Sequence, residues 1–342
     1  MKNRPTVAIV GGESLIGREL RDVMSQQHFP ARVQLIGVDE DTLTLTVQDG
    51  EAAVITPLDR DNLLGSQVTF LAGSASSSRK ALAMIAKAPA RPRIIDMTYI
   101  AEEEPSARLR APLVEAADFE VLAHSVHVVA HPAAIALALF LGRLDAAFKI
   151  RRSAAHIFEP ASERGQRGLE ALRRQTVNLL SFQKMPTDIY DAQLAFNMLA
   201  GFGSEAPEAL LTIELRIERH LASLLAAQGG PAMPSIRLIQ APVFHGYSVS
   251  VYVELDTRPD IHALASALAS GAVDVRDGEL EPPNNVGYTG QSGISVGAIA
   301  SDRNHAKAFW FWVVADNFRL MAENGVAVAR SLLPLAVSSE EK

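Results

Sequence analysis

The run Thr6-Val7-Ala8-Ile9-Val10 is short, apolar and rich in β-branched residues, and it ends in Gly11-Gly12. Immediately downstream, Leu15, Ile16, Leu20, Val23 and Met24 recur at the spacing of one helix face. A strand, a glycine turn and a helix in direct succession constrain the fold more than any other feature, because they open a nucleotide-binding βαβ unit. The alternation continues. Strands are predicted at 33–38, 68–72, 93–96 and 127–130, with a helix at 79–87 behind the serine-rich turn Gly73 to Ser78. Strands separated by helices predict an α/β fold with a doubly wound, parallel, Rossmann-like sheet.

The pattern changes after residue 132. Pro132 precedes an Ala- and Leu-rich helix at 133–144, followed by a strand at 149–158 and helices at 165–180 and 206–227. Gln228-Gly229-Gly230-Pro231 breaks the chain. Strands follow at 235–241 and 248–254, then a helix at 261–270, a loop-rich stretch from Glu279 to Ser301, an aromatic strand at 308–314 and a closing helix at 316–333. The tail Ser338 to Lys342 is expected to fray. Residues 1–132 with 315–342 are therefore read as a dinucleotide-binding domain, and 133–314 as an α+β domain, each large enough to bury a core.

Bulk properties exclude several classes. A net charge of −7 argues against a nucleic-acid or anionic-membrane partner. The chain has no cysteine, hence no disulfide, no thiolate metal site and no thiol nucleophile. The N-terminal apolar run is too short for a signal segment, and the stretch from Val128 to Leu141 is interrupted by His131 and Pro132 and too short to span a bilayer. A cytoplasmic location is the expectation. His124, His127 and His131 fall on strand and loop and would not share a face, so no metal site is expected. Phe309 to Trp312 reads as a buried sheet or a subunit interface.

Six landmarks in order resemble the aspartate-β-semialdehyde dehydrogenase family over nearly the whole chain. They are the glycine turn Gly11 to Gly17, the serine-rich turn after Gly73, Asp96-Met97-Thr98, His131-Pro132, Ser248 to Glu254, and Val313 to Asn317. The resemblance implies a Rossmann-like domain completed by the C-terminal helix and a second domain that builds a homodimer. It also implies NADP-linked, phosphate-dependent aldehyde oxidation through a cysteine thiolate, with a histidine as acid/base and arginines as anion clamps.

The residues at those family positions are different. The nucleophile position is Ala134, the acid/base position Tyr247, the carboxylate-binding arginine position Gln240, and the glutamine after the first strand of the second domain is Glu159. The phosphate-binding arginine falls near Glu102, and 205–218 holds no lysine. A methyl group cannot attack a carbonyl, and tyrosine's pKa of about 10 makes it a poor proton carrier at neutral pH. His245 lies two residues from Tyr247, on the same strand face at another depth. His131, His245 and Tyr247 could converge to support other acid/base chemistry.

The expected cofactor residues are Gly11, Ser14, Leu15, Ile16, Asp39, Ser74 and Asn317, for NAD or NADP. Asp39-Glu40-Asp41 stands where the family binds the 2′-phosphate, which favours NAD. Ser14 replaces a fingerprint glycine, and Met321 replaces a glycine on the nicotinamide side. The leading expectation is a catalytically silent, dimeric scaffold or regulatory relative. The alternatives are an NAD-linked oxidoreductase or lyase acting on a small carbonyl compound without covalent catalysis, and a partner that forms a heterodimer with an active relative.

Overall fold

The computed structural model describes residues 4–41, 43–48, 50–116, 126–278 and 280–333. His124, Glu279 and the tail 338–342 lie outside the described residues. The chain divides into two compact units. One comprises Met1–Pro112, Ala117–Ala130 and Met321–Lys342, the other Leu113–Ala116 and His131–Leu320.

The first unit is built on strands β1 (Thr6–Val10), β2 (Arg32–Ile36), β3 (Thr44–Gln48), β4 (Glu51–Thr56), β5 (Val68–Leu71), β6 (Arg93–Asp96), β7 (Ala107–Arg110) and β8 (Val126–Val129). They form one sheet in the order β3-β4-β2-β1-β5-β6-β8-β7. Strand β1 is central because it carries apolar residues on both faces, and it pairs in parallel with β2 and β5. Helices α1 (Leu15–Gln26), α2 (Arg60–Leu64) and α3 (Ala75–Ile85) follow β1, β4 and β5. Leu63 of α2 and Ala81 and Ile85 of α3 join Ala8, Val10, Ile36 and Leu71 in the core.

The sheet departs from the all-parallel expectation at one edge, where β3 pairs antiparallel with β4. The hairpin went unread because Leu43, Leu45, Val47 and Val54 are exposed rather than buried. The sequence signal was the period-two alternation of Thr and Leu ahead of Asp49-Gly50.

The second unit contains α4 (Pro132–Ala147), β9 (Ile150–Glu159), a 3₁₀ turn (Ala161–Arg164), α5 (Gly165–Leu180), α6 (Leu210–Gln228), β10 (Ser235–Gln240) and β11 (Tyr247–Leu255). It continues with α7 (Ile261–Leu268), β12 (Val273–Arg276), α8 (Asn285–Tyr288), β13 (Ile294–Ser301), β14 (Ala308–Ala315) and the first residues of α9 (Asn317–Leu332). Its sheet runs β10-β9-β11-β14-β13-β12. Helix α4 is buried around its whole circumference from Pro132 to Leu141, as a helix apolar on every side must be. Phe140 of α4 meets Phe311 of β14 edge-on at 5.0 Å between ring centroids. Phe309 and Phe311 face the core, while Trp310 and Trp312 point to the other face of β14 and are more exposed.

Two expectations are corrected here. The stretch read as loop from Glu279 to Ser301 contains α8 and β13. Gly297 and the serines of β13 weaken its strand signal, yet Ile294 to Gly297 are buried between β12 and β14. His245 is not on the strand with Tyr247. Gly246 takes a left-handed φ of 79° and β11 begins only at Tyr247, so the two side chains do not share a strand face.

Gly11 shows how tightly the first unit is closed. Its φ is 82°, and a Cβ there would lie 2.4 Å from the Gly73 Cα. Gly11→Ala combines a left-handed strain with a backbone clash. It is expected to destabilise the protein by about 2 kcal/mol or more, read as a lowered urea midpoint with an unchanged slope.

Candidate functional site

The second unit gathers a buried polar cluster at the start of α4 and the ends of β9 and β10. His131 caps α4, its Nδ1 accepting the Ala133 N–H at 3.3 Å, while its own N–H donates to His220 Nδ1 at 3.0 Å. Ala134 is the third residue of the helix and is 0% exposed. Its methyl offers neither a nucleophile nor a hydrogen bond. The Tyr247 ring packs 5.9 Å from that of His131, and its hydroxyl supports the carboxylate of Glu163. His131 and Tyr247 are thus brought together. The ring contact of His245 is with Phe318, at 6.1 Å between centroids.

Glu159 ends β9 with no exposed surface, and Pro160 turns the chain into the 3₁₀ segment that carries Glu163 and Arg164. Arg164 Nη2 reaches Glu159 Oε1 at 3.2 Å, and its Nη1 reaches Glu208 Oε2 at 2.6 Å. Arg216 of α6 contacts the other Glu208 oxygen at 3.3 Å. Gln240 ends β10 in register with Glu159, and its Nε2 donates to the Glu159 backbone oxygen at 2.8 Å. Glu163 accepts from Asn317 Nδ2 at 2.8 Å, and Asn317 Oδ1 accepts from Gly246 N at 3.2 Å. Asn317, expected on the cofactor, therefore spends its side chain within this unit.

Burial sets the protonation of the cluster. It pushes the Glu159 carboxyl up to about 7; Arg164 pulls the other way, and Glu163 and Glu208 add to the rise. Burial also raises Glu163. His131 is held well below its ordinary value by burial first, then by His220, Arg216 and Arg164, so it is neutral. For Arg164, burial opposes the charge but the three glutamates outweigh it and hold the guanidinium protonated.

One grouping was not anticipated. A nitrogen of His131 and carboxylate oxygens of Glu159 and Glu163 lie within 4.8 Å of one another. His131 Nδ1 accepts a hydrogen bond, which leaves the proton of the neutral ring on Nε2. Arg164 already supplies the cation beside Glu159. Part of the negative charge of the grouping is thus matched by a guanidinium. His127, in the first unit, lies beside Arg110 and is held down at about 4 by burial and by Arg110 and Arg93.

Sequence reasoning missed Arg164, Glu163, Glu208 and Arg216. It tested family positions, and these charged residues come from elsewhere. The available signal was Glu159-Pro160-Ala161-Ser162-Glu163-Arg164, charges of both signs directly after a buried strand.

In the first unit, the glycine turn leads into α1, where Ser14 is the N-cap. Its hydroxyl accepts the Gly17 N–H at 2.9 Å and donates to the Ala72 carbonyl at 2.6 Å. The amides of Leu15 and Ile16 have no partner within the helix by its geometry and stand where an anion would sit. Ser74 is likewise occupied, forming a capping box with Ser77 at the start of α3. Asp39 pairs with Lys80 at 3.2 Å, so its charge is offset. Glu13, inside the turn, is held by Arg18 at 3.2 Å and Arg21 at 2.8 Å. Met321 is buried near the Tyr99 hydroxyl, and Glu102 lies half-buried in the turn after β6.

A model of the semialdehyde dehydrogenase dimerisation domain matches residues 141–320. An aspartate-semialdehyde dehydrogenase of Rickettsia bellii is 24% identical over 347 residues, covering 97% of this chain and 99% of the relative. A USG-1 protein homolog of Pseudomonas aeruginosa is 28% identical, covering 96% of this chain and 97% of the relative. A solved structure of a probable aspartate-semialdehyde dehydrogenase from Pseudomonas aeruginosa superposes with a TM-score of 0.83 at 27% identity, covering 96% of this chain and 98% of that chain.

Arg164 is the cation shared by Glu159 and Glu208. Arg164→Met would leave three carboxyl groups against Arg216 and is expected to destabilise the protein by about 3 kcal/mol in urea unfolding. Arg173→Met, whose partner Glu170 is exposed, should leave the urea midpoint unchanged in the same assay.

Proposed function

The chain belongs to the semialdehyde dehydrogenase family, and we propose that it is a member that keeps the fold and the dimer-building unit but not the thiol reaction. The observation that carries this reading is Ala134, a fully buried methyl in the first turn of α4, in a chain without cysteine. The charge pattern around it supports the same conclusion. The family reaction needs arginines held open for a carboxylate and a phosphate; here Arg164 is bound to Glu159 and Glu208, and Arg216 to Glu208. An anionic substrate would have to displace carboxylates already paired at 2.6 to 3.3 Å. The retained role is that of a dimeric scaffold or regulatory relative. Several large apolar side chains of the second unit stand open, among them Leu180, Phe196, Met198, Leu211 and Phe182, the last 99% exposed.

The first unit fits a dinucleotide. Gly11 and Gly73 approach too closely for any Cβ, and the turn presents the Leu15 and Ile16 amides at a helix N-terminus. Asp39 could accept from ribose hydroxyls of NAD, although Lys80 beside it softens the discrimination against a 2′-phosphate. The bound cofactor would supply hydride transfer. The chain's own contribution is to hold the pyrophosphate at the start of α1. This cradle keeps a second reading in view, an NAD-linked oxidoreductase or lyase on a small carbonyl compound, working without a covalent intermediate.

Three measurements separate these readings. Aspartate semialdehyde with phosphate and NADP should give no turnover above a no-enzyme control, and Ala134→Cys should not restore it, because the arginines stay paired. Turnover by the native chain that is lost in Tyr247→Phe would overturn the proposal. In calorimetry and thermal shift, NAD is expected to bind; at about 100 times its dissociation constant it should stabilise the fold by about 2.7 kcal/mol. Sedimentation of the purified protein should give twice the chain mass, and a monomer at micromolar concentration would remove the scaffold reading.

A further inference from the structure

Two buried acceptors at the ends of β9 and β10 have no donor. Glu159 Oε2 and Gln240 Oε1 belong to side chains that are both 0% exposed, and neither atom has a hydrogen-bond partner. The two residues are register partners on parallel strands, so their side chains leave the sheet on the same face. The Gln240 amide cannot turn over to relieve the mismatch. Its Nε2 donates to two backbone carbonyls, Glu159 O at 2.8 Å and Ala241 O at 3.3 Å, and a flipped amide would set oxygen against oxygen there. Both atoms are closed off from bulk solvent, and the buried donors nearby that also lack a partner, Arg164 Nε and the Tyr190 hydroxyl, do not reach them. Two acceptors left this way are costly, and a hydrogen placed between them removes the cost.

We propose that Glu159 and Gln240 form a proton-holding pair, in which the Glu159 carboxyl is kept in its acid form and donates its Oε2 hydrogen to the amide oxygen of Gln240. This goes beyond the family reading above and does not depend on it. It makes a carboxyl at the end of β9, rather than His131 or Tyr247, the group in the cluster that carries an exchangeable proton at neutral pH.

The charge balance agrees. The groups facing Glu159 are Arg164 and Glu163 from the 3₁₀ turn, Glu208 ahead of α6, Tyr190 after α5 and His131 at the start of α4, with Arg216 of α6 behind Glu208. His131 is neutral and burial keeps Tyr190 protonated. With Glu159 protonated, Arg164 and Arg216 balance Glu163 and Glu208. With Glu159 ionised, a third carboxylate faces the two guanidiniums, and it is one with no exposed surface, whereas Glu208 is partly exposed.

The sign of the pH effect follows. The carboxyl titrates near its ordinary 4.5 in the unfolded chain and at about 7 in the folded one, so the folded state binds more protons between those values. Its stabilising contribution is complete below about 4.5 and is lost as pH rises through about 7, up to roughly 300-fold in the folding equilibrium.

Glu159→Gln tests this, because an amide there reproduces the acid form's bonds: its oxygen still accepts from Arg164 and its Nε2–H₂ donates to Gln240 Oε1. Urea unfolding from pH 5.5 to 8.5 should show the native chain weakening toward high pH. The Glu159→Gln variant should match it at pH 5.5, lose most of that slope and be the more stable protein at pH 8.5. Infrared spectra at pH 6 should show a protonated-carboxyl stretch in the native chain that is absent from the variant. If Glu159 is instead an ionised partner of Arg164, the variant will be weaker at every pH with the native slope, and the band will not change. Either of those results, or failure of the variant to fold, overturns the proposal.

Discussion

The Arg164 guanidinium organises the second unit's polar interior. It reaches Glu159 at the end of β9 and Glu208 ahead of α6 from a 3₁₀ turn that Pro160 initiates. A buried guanidinium is tolerable only when its charge is matched and its donors are used, so these segments must arrive together. Gln240 extends the arrangement to β10, and Tyr247, Glu163 and Asn317 tie in β11 and the start of α9. A single cation thus fixes the relative placement of strand ends that would otherwise be joined only by the sheet.

That interaction also explains why the cluster is unlike an anion-binding site. An anion clamp keeps its arginines short of carboxylates so that the ligand completes the charge balance. Here the carboxylates belong to the protein and the balance is internal. Ala134 presents a buried methyl, and Arg164 and Arg216 are paired with the protein's own carboxylates. The two features are separate, because the Ala134 side chain has no polar atom and Arg164 pairs with Glu159 and Glu208.

Much of the fold was legible in the sequence. The β1–glycine turn–α1 opening, the helix behind Pro132 and the aromatic β14 carry strong periodicity, and local pattern agrees with tertiary packing there. The β3–β4 hairpin and β13 were not read. The first exposes its apolar face, and the second buries serine and glycine as well as apolar residues, so burial and hydrophobicity part company in both. Of the site, the sequence names Ala134, Gln240 and Tyr247 one at a time; the structure sets Tyr247 against His131 and Gln240 against Glu159. The arginines that reshape the site could not be read in that way, because Arg164 and Arg216 meet at Glu208, across 52 residues of chain. His245 shows the complementary error. A spacing of two means a shared face only inside a strand, and Gly246 turns the chain before the strand begins.

The polar cluster is also a costly way to fill a core. An apolar set of similar volume would pack there without the desolvation of two arginines and three glutamates, and replacing buried ion networks by apolar residues is often neutral or stabilising. What a buried network provides instead is definition: its members tolerate few alternative arrangements, because any shift leaves a charge or an acceptor without its partner. In this chain that definition falls on the ends of β9, β10 and β11 and on the first turn of α4. Ala134 lies within that first turn with a methyl side chain, so the accuracy of the region rests on packing and on the charge network alone.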